Sequence, residues 1–190
     1  NELQESLIKL IIDSVVDSDY SQSKQEGNLS NLLLQITSSN SIDLYESILQ
    51  AFTQLLYSGY HDFVYLYLLD LREKFNSIKK NSLSSKIIFA IASALRLKGK
   101  LKEAIQEFNR IDEKMKSNMS LDYRFMIELE HANALREYGT HNLAIIHYEN
   151  ALKFCSVETE PNKYLQIQHH LCDLIYAHGN FVKAIQECNK

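Results

Sequence analysis

Four of the five glycines in this 190-residue chain, Gly59, Gly99, Gly139 and Gly179, stand 40 residues apart, and no other feature restricts the fold as strongly. A fixed interval of that length marks a repeated supersecondary unit. The neighbours of each glycine repeat as well. Five positions after it come Val64, Ala104, Ala144 and Ala184, and four positions further come Leu68, Phe108, Tyr148 and Cys188. Seven positions before it come Phe52, Ala92, Ala132 and Cys172, and four before it Leu55, Leu95, Leu135 and Ile175.

The content of one unit follows from the chemistry of these positions. Each glycine ends a helix, because a left-handed cap is cheap only for a residue without Cβ. The stretches on either side, such as 86–98 and 101–116, carry apolar residues at i, i+3, i+4 and i+7, the spacing of an amphipathic helix. Two helices joined by so short a turn lie antiparallel. Ala92 and Ala104 let their backbones approach, while Leu95, Ile105 and Phe108 fill the space beside them. One hairpin leaves an apolar face uncovered, so neighbouring hairpins stack on it. Composition agrees: five Gly and one Pro are too few to turn an all-β chain, and 45% hydrophobic residues supply a core.

The order small-x-x-Leu, Gly, Ala-x-x-x-aromatic resembles the tetratricopeptide repeat. Gly99-Lys-Leu-Lys-Glu-Ala104-Ile-Gln-Glu-Phe108 and Gly139-Thr-His-Asn-Leu-Ala144-Ile-Ile-His-Tyr148 carry the likeness best. The segment from Gly179 through Ala184 carries it to the end of the sequence, and 59–71 is a degenerate copy. The likeness covers about 41–190 and implies an all-α, right-handed α-solenoid of antiparallel helix hairpins. About four repeats are expected, at 41–78, 82–117, 120–156 and 160–190, behind an N-terminal helical cap or divergent repeat over 1–40. The array is expected to continue past residue 190. The period of 40 exceeds the roughly 34 of the family, which implies longer helices or longer connections, and it touches the lower edge of HEAT-like repeats. The aromatic and Gly of the family's first helix are replaced here by small or aliphatic residues.

Little in the chain points to catalysis. There is no phosphate-binding Gly-rich loop, no dinucleotide fingerprint, no H-E-x-x-H and no G-x-S-x-G, so no enzyme activity and no cofactor are expected. A net charge of −4, its acidic excess lying in residues 1–80, offers phosphates no basic face, so neither nucleic acid nor an anionic membrane is expected as a partner. Apolar runs such as 63–69 are far too short to span a bilayer. Cys155, Cys172 and Cys188 form an odd set with no paired framework, which suits a reducing, cytoplasmic setting. His169 and Cys172 share a helical face, but Cys172 already holds the small packing position of its repeat, so no metal site is expected. Cys188 falls at a large apolar position and reads as core. The tyrosine-rich run 57–67 reads as packing ahead of a binding platform.

The resemblance implies instead a concave groove lined by the first helix of each hairpin, which receives a peptide or helix of a partner protein. Residues just after the small position and three further on would line it, together with those one turn earlier. These candidates are Thr53, Phe89, Ser93, Arg96, Leu129, Asn133, Arg136, His169, Asp173 and Tyr176. Arg96 and Arg136 share a phase in adjacent repeats and are suited to fork onto carboxylates, or else to pair with Glu103 or Glu137 as solvated surface ions. Asn133 is suited to bond an extended peptide backbone. A scaffold role leads. A sensing region attached to a signalling NTPase or transcription regulator, and an architectural subunit of an assembly, are the alternatives. Self-association through the last repeat is a further expectation, because Phe181 and Ile185 have no following hairpin in the sequence to cover them.

Overall fold

A computed structural model of the chain describes residues 11, 42–76 and 82–188. All secondary structure among them is helical. In chain order the elements are α1 (Ile42–Tyr57), α2 (His61–Asn76), α3 (Ser82–Leu97), α4 (Leu101–Phe108), α5 (Glu113–Ser117), α6 (Leu121–Tyr138), α7 (His141–Leu152), α8 (Pro161–Ala177) and α9 (Phe181–Cys188). The expected cap or divergent repeat over 1–40 lies outside the described residues, apart from Ile11, which is helical and buried. The chain divides into two compact units, 1–98 and 99–190.

The repeated glycines do what the spacing requires of them. At Gly139 φ is +92°, and its N–H donates to Arg136 O at 3.1 Å while Thr140 N–H donates to Leu135 O at 2.9 Å. These two bonds satisfy carbonyls that the end of α6 would otherwise leave open, the pairing of a Schellman cap. The other three glycines of the series share the left-handed backbone.

In the first unit α1 packs on α2 and α3, and α2 packs on α3. Ile48, Phe52 and Leu55 of α1, spaced i, i+4 and i+7, are buried, as are Val64 and Leu68 of α2. Every residue of α3 from Ile87 to Leu95 is buried, because that stretch carries one hydroxyl and otherwise only apolar side chains. Lys86 Nζ bonds Glu46 Oε1 at 2.6 Å, joining α3 to α1 across one 40-residue step. In the second unit α6 packs on α4 and α7, α7 on α8, and α8 on α9. Its core holds Phe125, Ala132, Leu135, Ala144, Tyr148, Ala151, Ile167, Leu171 and Leu174. Lys163 Nζ bonds Asp122 Oδ1 at 3.0 Å and ties the first turn of α8 to that of α6.

The repeated positions are buried where described, with one exception. Val64, Ala104 and Ala144 are fully buried and Ala184 is 5% exposed, while Leu68, Phe108 and Tyr148 fill the large position. Cys188, expected in the core, is exposed. A second departure lies in the stretch 101–116, which reads as one helix but breaks after Phe108. There Asp112 accepts the Met115 N–H at 2.7 Å and caps a new short helix, α5. Pro161 occupies the first turn of α8, where its missing N–H costs nothing.

Candidate functional site

The candidate groove residues have several different settings. In α1, Thr53 turns its hydroxyl back onto Leu49 O at 2.8 Å. In α3, Phe89 and Ser93 are 2% and 1% exposed, so they pack and do not line an open surface. Arg96 is half-buried in the last turn of α3. In α6, Leu129 packs against the core of the second unit, while Asn133 and Arg136 are half-buried. On α8, His169 and Asp173 are exposed and stand 3.4 Å apart, Nε2 to Oδ2. Tyr176 is exposed and meets Phe181 edge to face at 5.0 Å.

Of these candidates, the second unit brings Asn133 and Arg136 together around a residue assigned to packing alone. The Tyr148 hydroxyl donates to Asn133 Oδ1 at 2.6 Å, and the Arg136 guanidinium lies beside the same phenol. Burial pushes the Tyr148 phenol up to about 12, with Arg136 offsetting part of the rise, so the hydroxyl keeps its proton. The Tyr148 ring stacks on His170 at 5.4 Å. Burial, then the charge of Arg136, lowers the pKa of His170. With Asn133 Oδ1 occupied, the amide presents its NH2 group as donor, and Arg136 adds guanidinium donors one turn on. A signal for this pairing existed in the sequence: only this repeat combines a carboxamide at 133 with a phenol at 148. The same two positions one step earlier hold Ser93 and Phe108, and two steps earlier Thr53 and Leu68.

A second polar cluster went unread in the sequence. Glu128 of α6, 4% exposed, receives Lys116 Nζ of α5 at 2.7 Å and lies 2.7 Å from His147 Nδ1 of α7. His131, one turn on, stacks on Phe108 at 5.1 Å and meets His147 at a tilt, 4.0 Å between ring centres. Burial works to raise the Glu128 pKa, but the bonds from His147 and Lys116 outweigh it and hold the carboxyl at about 2. Burial also opposes the charge on Lys116, yet the bonds to Glu128 and Glu113 win and its pKa is raised. Burial, then the neighbouring His147, lowers His131 to about 3. The four residues come from positions 116, 128, 131 and 147, a spacing that matches no motif. Their chemistry is that of an ion network pinning α5 to α6 and α7.

Among the described residues no group of three or more His, Cys, Asp or Glu side chains is placed to hold a metal ion. Part of the aromatic run of the first unit packs internally, Phe63 lying 4.9 Å from Tyr67 and Lys98 Nζ 4.6 Å over the Tyr65 ring, while Tyr57 is exposed. No described helix is long and apolar enough to cross a membrane. No protein-family model, curated protein or solved structure matches this chain.

Proposed function

We propose that this chain is a tetratricopeptide-like helical repeat that holds a peptide or helix of a partner protein, with Asn133 and Arg136 as the residues that grip the ligand. The observation that supports this reading most directly is the bond from the Tyr148 hydroxyl to Asn133 Oδ1. The bond engages the Oδ1 of a half-buried residue, which leaves the amide NH2 as the donor for a ligand, and Arg136 one turn on carries guanidinium donors. Such a pair selects acceptors: main-chain carbonyls of an extended segment, or a carboxylate. Within the second unit, α6 supplies the frame, carrying the half-buried Asn133 and Arg136 one turn apart.

The test is selection of binders from a peptide display library, followed by affinity measurement on Asn133→Ala and Arg136→Ala variants that retain wild-type circular dichroism. Loss of a charge-assisted hydrogen bond is worth about 1.5–3 kcal/mol, so each variant is expected to weaken binding by about tenfold or more. Undiminished binding by both folded variants would remove these residues from the site and the peptide-holding role with them.

A further inference from the structure

Three polar side chains gather round one phenol in the second unit. Asn133 and Arg136 reach Tyr148 from α6, and His170 stacks its ring on the same residue from α8 at 5.4 Å. All three are half-buried, so each keeps some contact with solvent. The repeat does not call for a histidine at this place, since the positions one and two steps earlier hold Glu130 and Ala90. What His170 adds is therefore particular to this hairpin.

The charge balance of the cluster is one-sided. Arg136 is a permanent cation, and its Nε is buried without a bonding partner among the described residues. The Tyr148 hydroxyl keeps its proton and gives its hydrogen bond to Asn133, so the phenol supplies no negative charge. Burial first, then the charge of Arg136, then His169, lowers the pKa of His170 and favours its neutral form. Asp173, on the same helix, acts the other way and is outweighed.

A carboxylate set beside Arg136 would undo the second of these effects. Its charge offsets that of the guanidinium and gives the imidazolium form of His170 an anion to face. The proton comes from solvent, and its uptake and the binding of the carboxylate strengthen each other by one shared coupling free energy. A main-chain carbonyl has no net charge and brings no comparable gain. The histidine thus separates two kinds of acceptor that Asn133 and Arg136 alone would both receive.

We infer that His170 is a third ligand-binding residue of the Asn133–Arg136 site and makes it selective for carboxylates, taking up a proton when an acidic segment binds. This rests on the peptide-holding role of Asn133 and Arg136, which their own variants test separately. Binding gains in full below the pKa that His170 has in the complex, and the gain is lost as pH rises through that value.

Magnetic resonance of the histidine rings in the 190-residue chain, titrated from about pH 5 to about pH 8, tests it. His170→Gln identifies the signal among those of the seven histidines. Three probes are added in turn at millimolar concentration: oligoglutamate blocked at both ends, oligoglutamine with a free C-terminal carboxylate, and oligoglutamine blocked at both ends. The His170 midpoint is expected to rise by about one pH unit or more with a carboxylate probe, equivalent to about tenfold tighter binding in mild acid than in mild alkali. Which of the two carboxylate probes moves it distinguishes a side-chain source from a chain terminus. The blocked oligoglutamine is expected to leave it in place. In Arg136→Ala the midpoint should already stand higher without any probe, and in folded His170→Gln the affinity for the effective probe should no longer follow pH. A midpoint unmoved by both carboxylate probes, or moved as far by the blocked oligoglutamine, would overturn the inference and leave the peptide-holding role standing. Undiminished binding of display-selected peptides by Asn133→Ala and Arg136→Ala would remove both together.

Discussion

The most demanding residue in the second unit is Glu128, a carboxylate buried in α6 and satisfied from two other helices. A buried charge survives only if partners replace its water, and here Lys116 and His147 do so. The network gives stability a direction in pH. His131 has its folded pKa lowered from the ordinary 6.5 to about 3, so between those values the unfolded chain takes up a proton that the folded chain refuses. Stability is thus fully present above 6.5 and falls as pH drops toward 3. Glu128, lowered from 4.5 to about 2, acts with the same sign in its own window. Urea midpoints measured from neutral to acid pH should therefore decline from below 6.5, and His131→Phe, which keeps a ring against Phe108, should flatten the upper part of the decline. A midpoint constant down to pH 4 would contradict the buried, neutral state of His131. Glu128→Gln is expected to cost about 1–3 kcal/mol at neutral pH, since it strips Lys116 and His147 of their shared partner. None of this was legible in the sequence. The four residues belong to three helices, and only packing brings them within reach. Tyr148 shows a partial case: its position announced an aromatic, but not that its hydroxyl would hold Asn133.

At the scale of the element, the caps carry the repeat. A Cβ built at Gly139 meets nothing within 4 Å, so the cost of Gly139→Ala is the left-handed backbone alone. That is about 1–2 kcal/mol, and chemical denaturation should show it, with Gly139→Asn losing less because Asn tolerates this conformation better. An unchanged midpoint for the alanine variant would mean that the cap is not held in the left-handed form. The glycines and the small and large apolar positions were readable because each answers to one local rule, a backbone angle or a helical spacing. Two things were not. Local periodicity made 101–116 look like one helix, yet Asp112 starts a new one and sets Lys116 where it reaches Glu128. Helix phase was the other: with α3 apolar all round, nothing in its pattern says which face is turned outward. Phe89 and Ser93, placed by analogy on a groove, are therefore buried.

Across the molecule, stability in a repeat array is a sum of local terms, so it should vary from hairpin to hairpin. Within the second unit the extremes are α6 and α9. α6 packs on both α4 and α7 and contributes Phe125, Ala132 and Leu135 to the core. α9 has eight residues, and among its described side chains only Ala184 is buried. An isolated helix of two turns is far below the length that sustains itself in water, so α9 holds its shape only through contact with α8. In a dilute monomer its amides should exchange with solvent through local opening, well before those of α6. Hydrogen exchange read by mass spectrometry checks that order. Protection of α9 should fall well below that of α6, whose Phe125, Ala132 and Leu135 lie in the core. Equal protection of α9 and α6 would show that the contact of α9 with α8, where Ala184 is buried, anchors the short helix as firmly as the core anchors α6.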